Sequence, residues 1–279
     1  MVDSNSKVLK NYDNQINNNL IKLYIETGVQ FVIIIDEWDY IISNKLYIDE
    51  ERDNYISFLK DLIKDKAYVA FTYMTGILPI EKESSQSTIN CFHEYSMLND
   101  KKYYKYFGFT EQEVRDLCNN NEEKYKIFEN WYKGYKAFNG DKFFNLWSVY
   151  HALYKKIIKN YWTETGRFDK IIDIIDFNID GVKDEILDLI KGKEVPIKLE
   201  NFGSGDLLKK SEGNNNKLMK NILYSKMVTY GFITYCKGKI SIPYNELKEK
   251  FIKVLNKDSE MEYYYELIKI SEKNAIKYI

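Results

Sequence analysis

The stretch Phe31-Val32-Ile33-Ile34-Ile35-Asp36-Glu37-Trp38-Asp39 decides the reading of this chain. Five apolar residues, mostly β-branched, run straight into two adjacent carboxylates. An unbroken run of this kind suits a strand covered on both faces, as at the centre of a parallel sheet. Acidic side chains at the carboxyl end of such a strand face the crevice where open α/β sheets hold ligands. A second apolar run, Ala67-Tyr68-Val69-Ala70-Phe71-Thr72-Tyr73-Met74, stops at Thr75-Gly76. Between the two runs, Tyr55, Ile56, Phe58, Leu59, Leu62 and Ile63 fall on one helical face. Upstream, Ile16, Leu20, Leu23 and Tyr24 recur at helical spacing over 12–27, with Gly28 as the C-cap. Helix alternating with apolar strand predicts an α/β fold built on a parallel sheet.

In phosphate-transfer enzymes a strand-end aspartate holds Mg²⁺ and a nearby group orients the attacking water. Asp36 and Glu37 are thus a candidate Walker B pair, with Asp36 on the metal and Glu37 on the water. The same carboxylates suit a helix N-terminus, where they accept from free backbone N–H groups. Thr75, just past the second strand, is a candidate for sensing a γ-phosphate or the attacking water. It also makes an ordinary turn former beside Gly76. Thr72 lies inside the apolar run and is the weaker choice. No Gly-x-x-x-x-Gly-Lys-Ser/Thr phosphate loop occurs in the chain.

From Ile77 to Arg167 strand signals fade and aromatic residues cluster at helical spacing, as in Tyr103, Tyr104, Tyr106 and Phe107 and in Trp131, Tyr132 and Tyr135. This reads as a helical lid, with Thr110 and Glu113 forming a capping box. Residues 180–195 and the run Leu218 to Val228 predict helices, and the Gly-, Ser- and Asn-rich stretch between them a loop. Gly231–Tyr235 and Lys239–Pro243 predict a β-hairpin turning at Lys237-Gly238, followed by a helix from Asn245. That outline is winged-helix-like. The expected division is a partial nucleotide-binding core over 1–80, a lid over 81–177, a winged-helix-like segment over 178–256 and a C-terminal helix over 257–279.

The formal charge of −1 gives no overall reason to expect nucleic acid or an acidic membrane as partner. No apolar run approaches the ~20 residues of a membrane helix. Cys91, Cys118 and Cys236 are scattered and join only two histidines, so zinc is not expected. Sparse cysteines and no signal peptide predict a cytoplasmic protein.

At Asp36-Glu37-Trp38-Asp39 and Tyr73-Met74-Thr75-Gly76-Ile77-Leu78-Pro79-Ile80 the chain resembles the AAA-ATPase-like family, predicted ATPases that often precede a PD-(D/E)xK nuclease-like domain. The likeness continues through Phe92–Met97, Phe107–Glu111, Trp131–Tyr135, Asn160–Gly166, Gly231–Tyr235 and Ile242-Pro243. The resemblance implies a P-loop NTPase core, a helical lid and a winged-helix-like segment, with Mg²⁺ and ATP as cofactors. It also implies a glycine-rich phosphate loop upstream of the first strand, and the chain begins too late to hold one. Asn145-Leu146-Trp147 stands where the family usually has Asn-Pro, a change expected to alter only a local turn. Two functions are expected: a domain descended from a Mg-ATP-dependent ATPase that cannot bind or hydrolyse ATP alone, or a noncatalytic module that binds a protein partner.

Other candidates have plainer readings. The only arginines, Arg52, Arg115 and Arg167, read as solvated side chains, with Arg167 the best placed as a charge stabiliser. His93 and Cys91 read as packing or surface residues. The aromatic clusters read as core, since no basic stripe accompanies them. Lys237 and Lys239 would flank the wing, but in related ATPases such modules often serve as interdomain packing. Glu246-Leu247-Lys248 imitates a nuclease Glu-x-Lys and is expected on a solvated helix face.

Overall fold

The computed structural model describes residues 15–43, 49–78, 91–165, 175, 179–200 and 216–255. Among these, residues up to Glu94 form one compact unit and residues from Tyr95 another. The fold is mixed α/β. None of the described helices is long and apolar enough to cross a membrane.

In the first unit, α1 (Ile16–Thr27) ends where Gly28 turns left-handed (φ 68°) and donates its N–H to Tyr24 O at 2.8 Å. Strand β1 (Phe31–Ile35) follows, then the short α2 (Tyr40–Ser43), α3 (Asp49–Ile63) and β2 (Val69–Met74). The two strands pair in parallel, Val32 opposite Phe71 and Ile34 opposite Tyr73. Trp38, Ile42, Leu59, Leu62, Ile63, Tyr68 and Leu78 make the core.

Here the expectation of a strand covered on both faces is wrong. Burial alternates along β1, and Val32 and Ile34 are 62% and 71% exposed. Their neighbours Phe71 and Tyr73 are exposed on the same side of the ladder. A β-branched run reports what a strand can bury, whereas its burial depends on what packs against each face. Among the described residues β1 pairs with β2 alone.

The second unit opens with a 3₁₀ turn at Tyr104–Tyr106, then α4 (Glu111–Leu117) and α5 (Glu122–Tyr132). The capping box is present: Thr110 Oγ1 accepts from Glu113 N, and Glu113 Oε2 accepts from Thr110 N. The segment read as purely helical also contains a hairpin, β3 (Lys133–Lys136) with β4 (Lys142–Phe144). Tyr135 therefore sits on a strand. These strands are too short for a two-residue alternation to show in sequence. Helix α6 (Leu146–Lys155) follows, its Asn145 N-cap accepting from Ser148 N at 2.9 Å.

Then come α7 (Val182–Ile190), β5 (Val195–Pro196), α8 (Asn216–Thr229), the hairpin β6 (Thr234–Cys236) with β7 (Lys239–Ser241), and α9 (Asn245–Leu255). Lys237 (φ 48°) and Gly238 (φ 82°) supply the two left-handed positions that a two-residue hairpin turn requires. Strand β5, which has no counterpart in the sequence reading, adds to the free edge of β7.

Two buried clusters fill this unit. One gathers Val114, Tyr125, Phe128, Tyr132 and Phe144 with α6; the other gathers α7, α8, the second hairpin and α9. Both lie within the one unit, and the second also takes in Ile175, from the range expected for the lid. The expected core reading of the aromatic residues holds for Tyr132 but fails for Tyr106 and Phe107, which are exposed. The expected 257–279 helix, and Arg167, lie outside the described residues.

Candidate functional site

The carboxyl ends of β1 and β2 are adjacent because the strands are parallel and in register through Ile35 and Met74. This brings Asp36 and Thr75 together. Thr75 Oγ1 donates to Asp36 Oδ1 in a short hydrogen bond. Glu37 N donates to the same pair, at 3.1 Å to Asp36 Oδ1 and 3.2 Å to Thr75 Oγ1. Main-chain bonds lock the corner: Thr75 N to Ile35 O and Trp38 N to Thr75 O, both 2.9 Å. All three residues singled out from sequence thus meet at one point.

Glu37 adopts φ 50°, a left-handed conformation that costs a non-glycine residue roughly 1–2 kcal/mol. Such a residue persists only where its surroundings over-determine it. The bonds at its own N–H, at Trp38 N, and from Tyr40 N to Glu37 O (2.9 Å) do this. The outcome is an exposed Glu37 whose backbone N–H is held by the Asp36–Thr75 pair.

Asp39 is a residue the sequence reading passed over, and it is buried. Its two oxygens accept from Ile77 N at 3.2 Å and Leu78 N at 3.0 Å, tying the loop after β1 to the loop after β2. Tyr55 Oη donates to Trp38 O at 2.7 Å from α3. Burial first, and the Asp39 charge second, raise the Tyr55 phenol above its usual range, so it remains a donor. The signal was in the sequence: Asp39 is the third acid of the same motif, and an acid two residues past a strand-end pair suits loop capping.

Gly76 fits because it lacks a side chain. A Cβ there would lie 2.4 Å from the Trp38 ring and 2.8 Å from Asp39 Oδ1. Gly76→Ala should lower unfolding stability by about 1–3 kcal/mol. Amide exchange at Ile77 and Leu78 should rise with it, because the new methyl displaces their Asp39 acceptor. Unchanged exchange at those two amides would contradict this account of the corner.

Mg²⁺ takes oxygen ligands in octahedral geometry and usually keeps several waters, binding through one or two carboxylates and substrate phosphates. The Asp36 carboxylate and Thr75 hydroxyl fit that donor type. Asp39 is already committed to backbone N–H groups. Among the described residues no cluster of three or more His, Cys, Asp or Glu could cage a metal by itself. ATP does not fit in the same way. The corner presents acids and one hydroxyl, which repel a triphosphate unless a cation or N–H donors intervene.

The other sequence candidates lie elsewhere. Arg115 bonds Glu111 (3.0 Å) and Glu122 (2.7 Å) and covers the Tyr125 ring at 3.7 Å. Arg52 bonds its neighbour Asp53 at 2.9 Å. Cys91 and His93 are exposed.

The expectation for Glu246 is overturned. It is fully buried rather than solvated. Oε1 accepts from Tyr161 N (2.7 Å) and Thr163 N (3.1 Å), and Oε2 accepts from Ser148 Oγ (2.6 Å). This carboxylate holds a chain segment in place and has no opening to a substrate.

Comparison with protein-family models, with curated proteins and with solved structures finds no match to this chain.

Proposed function

We propose that this chain is an AAA-ATPase-like domain descended from a Mg-ATP-dependent ATPase, and that it neither binds ATP tightly nor hydrolyses it alone. The observation that carries this reading is the Asp36–Thr75 contact, with Glu37 exposed beside it, at the carboxyl ends of two adjacent parallel strands. In a working site of this class Asp36 would hold hydrated Mg²⁺. Glu37 would orient the attacking water, and Thr75 would fix the Asp36 rotamer and report on the terminal phosphate. Phosphates in such sites are held by backbone N–H groups of a glycine-rich loop and its lysine. The chain contains no such motif. On this reading β1 and β2 belong to a P-loop NTPase sheet, the elements from the 3₁₀ turn to α6 form its lid, and α8, the hairpin and α9 form a winged-helix-like segment.

A second reading, a noncatalytic module that binds a protein partner, is favoured by the bare face of Val32, Ile34, Phe71 and Tyr73. Parallel sheets are normally covered on both faces.

Equilibrium binding of a fluorescent ATP analogue, with and without Mg²⁺, tests the first reading. No saturable binding by the isolated chain is expected. Submicromolar, Mg²⁺-dependent binding would overturn it.

A further inference from the structure

Helix α6 is apolar on both sides. Val149 and Ala152 face the core, while Leu146, Trp147, Tyr150 and Tyr154 are exposed, Tyr154 by 74%. Trp147, Tyr150 and Tyr154 follow i, i+3, i+7 spacing, which puts three rings on one stripe about 10 Å long. The rings of Tyr150 and Tyr154 are nearly parallel (7°), with centroids 6.1 Å apart. Trp147 is braced from behind by the edge-on ring of His151 at 4.3 Å.

Helix α6 itself, Leu146–Lys155, carries no acid, and Lys155 and Lys156 directly follow the last ring; Lys159 beyond them is paired with Glu164 at 3.0 Å. Lys155 and Lys159 converge on the Tyr161 ring, at 5.4 and 5.3 Å from its centroid. Lys155 and Lys156 are exposed at the end of the helix.

We infer that the outer face of α6 is a stacking platform for single-stranded nucleic acid, bases lying on Trp147, Tyr150 and Tyr154 and phosphates on Lys155 and Lys156. Exposed rings along a positive track are the recurring means of holding single strands without sequence preference. Exposed, aligned rings suit flat bases, whereas an acidic peptide would need the charge and not the ring alignment. The inference is independent of any ATP chemistry at Asp36.

The test is fluorescence anisotropy of a labelled oligothymidylate of about 12 nucleotides, a length within the usual span of such sites. Saturable binding is expected, weakening with salt at a log–log slope of about −1.4 for two phosphate contacts. Tyr154→Ala and Trp147→Ala should each weaken binding about 5- to 150-fold, with the circular dichroism spectrum unchanged because both side chains are exposed. Lys155→Ala with Lys156→Ala should flatten the salt slope. Three results would overturn the inference: no saturable binding, binding indifferent to both aromatic substitutions, or polyglutamate competing as well as unlabelled oligonucleotide. The last would assign the face to an acidic protein.

Discussion

Replacing Glu246 with alanine should destabilise the protein by about 3–5 kcal/mol, because several buried donors lose their acceptor at once. The reason is that its partners have nowhere else to turn. Tyr161 N, Thr163 N and Ser148 Oγ all lose their acceptor inside the protein, and each buried donor left unmade costs roughly 1–3 kcal/mol. The damage spreads along a chain of bonds. Asn145, which caps α6 beside Ser148, donates to Tyr244 Oη (3.0 Å), which donates to Tyr135 Oη (3.0 Å), which donates to Gly231 O (2.7 Å). Burial places the Tyr135 and Tyr244 phenols well above their usual range, so both stay protonated as donors.

Glu246→Gln separates shape from charge. Its carbonyl can accept from the two backbone N–H groups while its amide donates to Ser148 Oγ, so the cost should be about 1–2 kcal/mol. Burial holds the Glu246 carboxyl above the usual carboxylate range, against the pull of its hydrogen-bond donors. In the window above the ordinary value of about 4.3, the folded protein keeps a proton that the unfolded chain has released. Stability therefore falls as pH rises through that window. Urea unfolding of wild type and Glu246→Gln across mildly acidic pH should show the wild type losing stability relative to the variant as pH rises. A wild type that gains stability over the variant as pH rises would mean that the donors outweigh burial.

Why Glu246 was misread from sequence is plain from where its partners lie, 83 to 98 residues earlier in the chain. Nothing local marks a glutamate on a lysine-rich helix as buried. The features that were legible are those written within a few residues: the Thr110–Glu113 box, the Gly28 cap and the Lys237-Gly238 turn. Asp36 and Thr75 are 39 residues apart and were still legible together. Each ends an apolar strand, and a parallel pairing carries both ends to the same edge. The covering of β1 was not legible, because β-branched composition records a preference and not a neighbour. The bare side of α6 was not legible for a related reason: an apolar helix reads as core on every side, and only the packed structure shows which side is open.

Gly134→Ala should be the other severe substitution, for a steric reason. Gly134 sits in β3, and a Cβ built there would lie 1.7 Å from Pro243 O and 2.4 Å from its carbonyl carbon. Both are main-chain atoms and cannot rotate aside as a side chain does. The backbone of β3 would have to leave the segment between β7 and α9, opening the junction where Lys136 N donates to Thr234 Oγ1 at 2.7 Å. A cost upwards of about 3 kcal/mol follows, at or beyond the upper end for overpacking. Gly140→Ala is the matched control. Its φ of 96° makes alanine unfavourable, but no atom lies within 4 Å of the new methyl, so only the conformational cost of about 1–2 kcal/mol applies. Chemical denaturation of both variants should rank Gly134→Ala as clearly the more damaging. Equal losses would mean that β3 can move away from Pro243 cheaply, and that the strand does not fix the second hairpin against the first.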